Sequence, residues 1–342
     1  MTHTATTMRS WWMQTTASGT TLEQREVAVP VPGPRQLLVR LRAASLNRGE
    51  FLAGHGVQGG WKAIGNEGAG EVVAMGDAAG DWQPGARVMG RCAGGFADYA
   101  LMECDEAIPK PDALSWEEAA SVPLVFLVAF DMLVLQGRLV AGEWLLVNGV
   151  SSGVGVASLQ LGKAIGAHVI GTSGSATKLA ALAPLGLDVA LATRQADFAP
   201  AVLAATGEHG ADLAINTVGG STFAENLRAL AFEGRLATVG FVDGVSHADI
   251  DLGALHVKRL TVFGVSNKAR TKAQRAAAVP RFVAEVMPLF ASGRIRPLVD
   301  RVFDFADLPA AKARMESGAH AGKIVLRARE VSSVTTREGA NA

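Results

Sequence analysis

The chain has 342 residues, which suggests two domains, since single hydrophobic cores rarely grow past about 250–300 residues. Hydrophobic residues make up 49% and charged residues 19%, the balance of a compact, well-buried chain rather than a disordered one. Lys+Arg and Asp+Glu both number 32, so no global field invites nucleic acid or an anionic membrane, and two cysteines, Cys92 and Cys104, give no disulfide framework and no cysteine-rich metal site.

In chain order, residues 1–7 are polar and lack the apolar centre of a signal peptide. The next hundred residues read as β-rich. Short strand-like runs at 37–42, 70–74 and 87–90 alternate with Pro/Gly turns such as 30–34 and 83–85. Ser115, followed by Glu117 and Glu118, has the form of a capped helix start. The longest apolar run, 122–130, contains Pro123 and falls short of the roughly 20 residues that span a bilayer. A soluble, cytoplasmic protein with no membrane or nucleic-acid partner is expected.

From about residue 142 the period changes. Candidate strands at 144–148, 168–172, 189–192, 213–216, 235–239 and 260–263 alternate with helical segments that include 154–165, 176–185 and 222–230. Six strands alternating with helices predict a parallel sheet covered on both faces, the doubly wound α/β domain that binds dinucleotides. A further helix over 275–292 and a strand over 322–327 follow, and this tail is expected to return to the N-terminal domain. The last residues are polar and small.

The run Glu143-Trp-Leu-Leu-Val-Asn-Gly-Val-Ser-Ser-Gly-Val-Gly155 carries the most chemistry. A strand turning tightly into a helix aims backbone N–H groups and the positive helix end at one spot, which suits a pyrophosphate. The glycine pattern is imperfect. The three fingerprint positions fall on Val150, Ser152 and Gly155, so only the last is glycine.

Several segments then recur in a known order: Ala44-Ser-Leu-Asn-Arg-Gly-Glu50, Gly65-Asn-Glu-Gly-Ala-Gly-Glu-Val-Val73, Gly85-Ala-Arg-Val88, Gly95-Phe-Ala-Asp-Tyr-Ala100, the turn at 148–155, Gly293-Arg-Ile-Arg-Pro297 and Gly322-Lys-Ile-Val-Leu326. With these the chain resembles the medium-chain dehydrogenase/reductase superfamily, and within it the zinc-free quinone oxidoreductases. The resemblance implies a GroES-like, β-rich catalytic domain (8–123, with a return at 265–330), a Rossmann NADP(H)-binding domain at 124–264, and a homodimer, while the polar, small residues at 331–342 are expected to form a disordered tail. Zinc-dependent relatives carry Cys where this chain has Asn47 and Gly-His-Glu where it has Gly65-Asn66-Glu67. Neutral amides are poor zinc ligands, so no metal is expected.

The cofactor expectation rests on the end of the second strand of the nucleotide domain. NAD sites carry an acid there, whereas this chain has Thr172-Ser173-Gly174-Ser175 and then Lys178, which resembles a 2′-phosphate pocket. Candidate cofactor contacts are Asn47, Ser151, Ser152, Gly153, Val154, Thr172, Ser173, Gly174, Ser175 and Lys178. The strand-end loops at Val218, Gly219, Gly240, Phe241, Val265, Ser266 and Asn267 complete the set. Asn47 and Glu50 are the catalytic candidates, although Asn47 could be a structural loop residue and Glu50 a partner in an ion pair. Three positions depart from the family: Leu52 stands where a tyrosine is common, Val128 replaces a threonine beside the nicotinamide, and Tyr99 reads as core. His55 in a glycine-rich loop reads as solvated. The implied activity is NADPH-dependent, zinc-independent hydride transfer to a quinone or an α,β-unsaturated carbonyl compound. The alternatives are an enoyl-thioester reductase and a non-catalytic NADPH-binding protein.

Overall fold

The computed structural model describes residues 6–16, 19–51 and 60–328. Leu52, His55 and the expected tail at 331–342 lie outside the described residues. The first region holds β1 (Thr7–Thr16), β2 (Gly19–Ala28), β3 (Gln36–Ser45), β4 (Trp61–Ala63), β5 (Glu67–Met75), β6 (Arg87–Arg91), β7 (Tyr99–Glu103) and β8 (Ala107–Pro109). The β1–β2 hairpin and β4 form a small sheet of their own. Strands β3, β5, β6, β7 and β8 belong to a seven-stranded sheet. The hairpin was absent from the sequence reading because β2 (GTTLEQREVA) is mostly polar and shows no apolar face.

Two short helices link the domains: α1 (Trp116–Ala120) and α2 (Pro123–Phe130). The Ser115 hydroxyl accepts from the Glu118 N–H, and the Glu118 carboxylate accepts from the Ser115 N–H, a complete capping box. The second region contains β9 (Trp144–Asn148), α3 (Gly153–Ile165), β10 (His168–Ser173), α4 (Ala176–Leu182), β11 (Val189–Ala192), α5 (Ala199–Ala205), β12 (Ala211–Asn216), α6 (Phe223–Ala229), β13 (Leu230–Thr238), α7 (Leu252–Val257) and β14 (Thr261–Gly264). These six strands are parallel, in the order β11-β10-β9-β12-β13-β14. In domain order this is 3-2-1-4-5-6, the doubly wound arrangement. Leu145 and Val147 of β9 face one core and Leu146 the other, so both faces of the sheet are buried.

The chain then forms α8 (Lys272–Ala276), α9 (Val279–Ala291), β15 (Val299–Asp304), α10 (Leu308–Glu316) and β16 (Lys323–Arg327). The expected helix over 275–292 is two helices, and Pro280 sits in the first turn of the second, the position a proline prefers. β15 and α10 had no clear sequence period. β16 pairs antiparallel with β3, Val325 opposite Ser45, which carries the C-terminal chain into the first sheet. A large core runs from Ala43, Ala69 and Met89 through α2 to Leu145 and Leu213. Edge-to-face contacts of Phe126 with Phe290 (4.9 Å) and Phe130 with Phe282 (5.7 Å) reinforce it. Among the described residues no helix is long and apolar enough to cross a membrane.

Candidate active site

The strand-to-helix turn of the fingerprint segment is held at both ends. Gly149 and Val150 donate their N–H groups to the Thr172 carbonyl, and the Ser152 hydroxyl caps α3 by accepting from the Gly155 N–H at 3.0 Å. Only glycine fits at 155, since a Cβ there would lie 2.4 Å from the Gly149 carbonyl oxygen. The Gly153 and Val154 N–H groups occupy the first two positions of the 13-residue α3, where no intrahelical acceptor exists. They are the donors an anion would use.

The turn also touches the other domain. Gly322 donates its N–H to the Ser151 carbonyl at 2.9 Å, and Ser152 bridges Gly322. The next residue, Lys323, enters a buried cluster. Its Nζ donates to the Leu46 carbonyl (2.9 Å), Asn47 Oδ1 (2.7 Å) and Glu67 Oε1 (2.9 Å). Glu67 Oε1 also accepts from Ser45 Oγ (2.6 Å) and Asn47 Nδ2 (2.8 Å), while Glu67 Oε2 accepts from the Leu124 N–H in the first turn of α2. Asn47 Nδ2 reaches Glu50 Oε1 at 3.2 Å. Asn47 is therefore fixed by charged side chains and not by backbone. Burial pushes the Glu50 carboxyl up to about 8, with Glu67 adding to the shift and the Asn47 bond and Lys323 opposing it. Its Oε2 is buried without a partner among the described residues. Asn66, beside Glu67, is exposed. Among the described residues no three His, Cys, Asp or Glu side chains form a metal-ion site.

A second cluster surrounds the end of β10. Ser173 and Ser151 hydroxyls lie 3.4 Å apart, and Ser175 caps α4 by accepting from the Lys178 N–H. Lys178 Nζ donates to the Gly318 carbonyl. Burial lowers its pKa, and Arg314, Arg194 and Arg48 lower it further against the opposing pull of Asp300. Arg194 lies across Gly174, where a Cβ would come 2.4 Å from the arginine Cγ and Nε. His320 is held neutral by burial, with its Nδ1 unpartnered among the described residues. Asp300 is paired with Arg314 at 3.0 Å. Three arginines and a lysine against one engaged carboxylate make this corner strongly cationic. Of this cluster, Lys178 is a candidate from the sequence, while Arg194, Arg48, Arg314 and His320 are not among the sequence candidates. Arg194 was accessible, since it follows the end of the next strand, β11. The other three come from the distant catalytic domain.

The remaining loop residues differ in kind. The Val218 and Gly219 N–H groups both donate to Asn216 Oδ1 at 3.0 Å, so neither is free for a ligand in this arrangement. Gly240 packs against Thr217, and Phe241 is half exposed. Val265 is buried, the Ser266 hydroxyl accepts from the Lys268 N–H, and Asn267 Oδ1 accepts from Arg270. Val128 packs against the main core on α2. Tyr99 is half-buried on a cavity wall and is not a core residue.

Family models place this geometry. One described as "Alcohol dehydrogenase GroES-like domain" matches residues 33–112, and one described as "Zinc-binding dehydrogenase" matches residues 153–283. The chain belongs to the medium-chain dehydrogenase/reductase superfamily. This member is 30% identical over 313 residues to a highly reducing polyketide synthase of Emericella nidulans, a match covering 90% of the chain but 12% of the synthase. The chain spans about one-seventh of the length of a mycobacterial polyketide synthase subunit that it also matches. Among solved structures, the mycobacterial protein Rv1454c complexed with NADPH superposes with a TM-score of 0.84 at 26% identity, covering 94% of this chain and 99% of that one. The CurK enoyl reductase has the same fold, with a TM-score of 0.81, 22% identity, and coverage of 94% and 99%. The superfamily makes the chain an oxidoreductase.

Proposed function

We propose that the chain is an NADPH-dependent reductase of the carbon–carbon double bond in enoyl thioesters. The observation that carries this reading is the match, along nine-tenths of the chain, to a segment of a highly reducing polyketide synthase. Such synthases extend acyl chains as thioesters, and a hydride-transferring segment has an unsaturated acyl thioester to act on. The quinone reading keeps the same hydride chemistry, but the synthase match favours the thioester.

NADPH supplies the hydride. Lys178 and Arg194 would hold the 2′-phosphate, and the cationic corner with no acid at the end of β10 fits that group. The Gly153 and Val154 N–H groups would face the pyrophosphate. The Lys323–Glu67 pair fixes Asn47 in one orientation. Burial raises the Glu50 carboxyl to about 8, so Glu50 itself keeps its proton at pH 7 beside Asn47. An enoyl thioester needs no Lewis acid to accept hydride, because its carbonyl delocalises the resulting charge, and water can return the proton. Asn47 and Glu50 then act as positioning groups for the reacting face of the cleft.

The test is NADPH oxidation with crotonyl-coenzyme A and with a panel of quinones. The proposal expects kcat/KM for the thioester to exceed that for any quinone by at least about tenfold, a difference of roughly 1.4 kcal/mol in transition-state stabilisation. Faster quinone turnover would restore the first expectation. Tight NADPH binding with no turnover on either class would make the chain a binding protein.

A further inference from the structure

A cavity of about 580 Å³ is lined by the N-terminal hairpin, by Asn66 just before β5, by Arg91 of β6 and Tyr99 of β7, and by Lys272 and Arg275 of α8. Its size falls within the range of small-molecule sites, roughly 300–1,000 Å³. The hairpin contributes an apolar wall of Met8, Trp12 and Val27. The opposite side is charged. Glu106, whose side chain is 5% exposed, takes Arg275 through Nε at 3.1 Å and Nη2 at 3.0 Å. Glu103 takes Lys272 at 2.6 Å. Each carboxylate thus already has a cation.

Arg91 is the third cation. Its one ion-pair contact among the described residues is Nε to the same Glu106 at 3.3 Å, with 30% of its side chain exposed. Burial lowers its pKa, Glu106 opposes that shift, and the neighbouring Arg275 adds to it. Its Nη atoms have no partner among the described residues. A half-buried guanidinium that shares its one carboxylate with Arg275 is incompletely compensated, and an arriving carboxylate would relieve that cost through the paired donors of the planar fork.

We propose that this cavity is a binding site for an amphiphilic carboxylate, its head on Arg91 and its hydrocarbon tail along Met8, Trp12 and Val27. One unbalanced positive charge calls for a monoanion, and the apolar wall selects against small inorganic ions. The site is separate from the cationic corner at Lys178. Because it backs directly onto Asn66 and Cys92, whose N–H donates to the Asn66 carbonyl at 3.0 Å, an occupant would lie next to the strand that carries Glu67. The inference does not depend on the reductase reading, since occupancy needs neither cofactor nor turnover.

Isothermal titration of the full chain with hexanoate, hexan-1-ol and inorganic phosphate tests it. Hexanoate is expected to bind one per chain, at least tenfold more tightly than hexanol or phosphate. Arg91→Leu should weaken hexanoate at least tenfold, whereas Arg91→Lys should retain part of the affinity. Ala28→Trp, at the exposed end of β2 on the cavity wall, should block the site without touching any charge, and it keeps the test open if Arg91→Leu does not fold. Equal affinity for hexanoate and hexanol, phosphate binding as tight as hexanoate, or undiminished hexanoate binding in folded Arg91→Leu or Ala28→Trp would each overturn the proposal.

Discussion

Lys323 Nζ lies 2.9 Å from Glu67 Oε1, and the two side chains are 5% and 0% exposed. The pair joins β16, at the end of the chain, to β5, more than 250 residues earlier, directly beneath the fingerprint turn. A Cβ on Gly153 would come 2.9 Å from the Lys323 Cδ, so the same lysine stem packs against the start of α3. One residue thus ties the C-terminal strand, the catalytic-domain carboxylate and the nucleotide-domain helix together.

Removing one partner of a buried pair leaves the other charge without compensation, which typically costs 3–5 kcal/mol. Lys323→Ala is therefore expected to lower unfolding stability by about that amount in urea melts, with loss of the ordered Asn47 position. The double change Lys323→Met with Glu67→Gln should cost clearly less than the sum of the two single changes. Additive losses, or a Lys323→Ala cost under about 1 kcal/mol, would mean that the pair contributes little.

Glu50 gives a pH dependence of defined sign. The folded protein holds its proton up to about pH 8, while the unfolded chain releases it near the ordinary value of 4.5. Folding therefore takes up a proton between those limits, and the Glu50 contribution to stability falls as pH rises from 4.5 to 8, then levels. Glu50→Gln keeps the acceptor for Asn47 and removes the titration. Its melting temperature relative to the parent is expected to climb across that window and flatten above it. A constant offset from pH 5 to 8.5 would show that Glu50 is ionised in the fold.

The Rossmann half was legible because its signals are local. Strands at 144–148 and 189–192 read directly from apolar runs bounded by turns, and the alternation of strands with helices predicted a sheet covered on both faces. Gly155 was recognised by position, and the structure gives the reason in the approach of Gly149. The buried cluster around Glu67 was only half visible. Asn47 and Glu50 stand in a quoted motif, but Lys323 is some 270 residues away and no periodicity links it to Glu67. The same holds for Arg48, Arg314 and His320, which reach Lys178 only through the return of the tail to the first sheet. The β1–β2 hairpin escaped because one of its strands is polar on both faces.

Gly155→Ala tests the fingerprint turn. A Cβ would meet the Gly149 carbonyl oxygen at 2.4 Å and that of Val150 at 2.6 Å, both backbone atoms that cannot rotate away. The helix gains up to about 1 kcal/mol from alanine, but overpacking of this kind costs about 1–3 kcal/mol. Net destabilisation and a weakened NADPH complex are expected. An unchanged melting temperature together with unchanged NADPH affinity would contradict the close approach.

Chelation should leave the enzyme active. Lys323 Nζ donates to Asn47 Oδ1 and Glu67 Oε1, the oxygens a divalent cation would need, and its ammonium would repel such an ion. Activity is expected to survive prolonged dialysis against EDTA, and elemental analysis should show well under one zinc per chain. A stoichiometric zinc lost together with activity would refute the proposed roles of Asn47 and Lys323.

Cofactor choice should reside in Lys178 and Arg194 together. Lys178 follows the end of β10, Arg194 lies across Gly174, and the nearby carboxylate, Asp300, is engaged by Arg314. A charge-assisted bond to phosphate contributes about 1.5–3 kcal/mol, so Lys178→Ala should weaken NADPH roughly tenfold or more and leave NADH nearly unchanged. Lys178 must first leave the Gly318 carbonyl, which lies in the turn after α10. Part of its binding contribution is offset by that lost bond, and Arg194→Ala, with no comparable tether, is expected to match or exceed it. Measured by fluorescence titration of both cofactors, the double variant should bind NADPH and NADH with similar affinity. If the parent already binds them equally, or if the losses fall on NADH as heavily as on NADPH, the cationic corner is not the phosphate site.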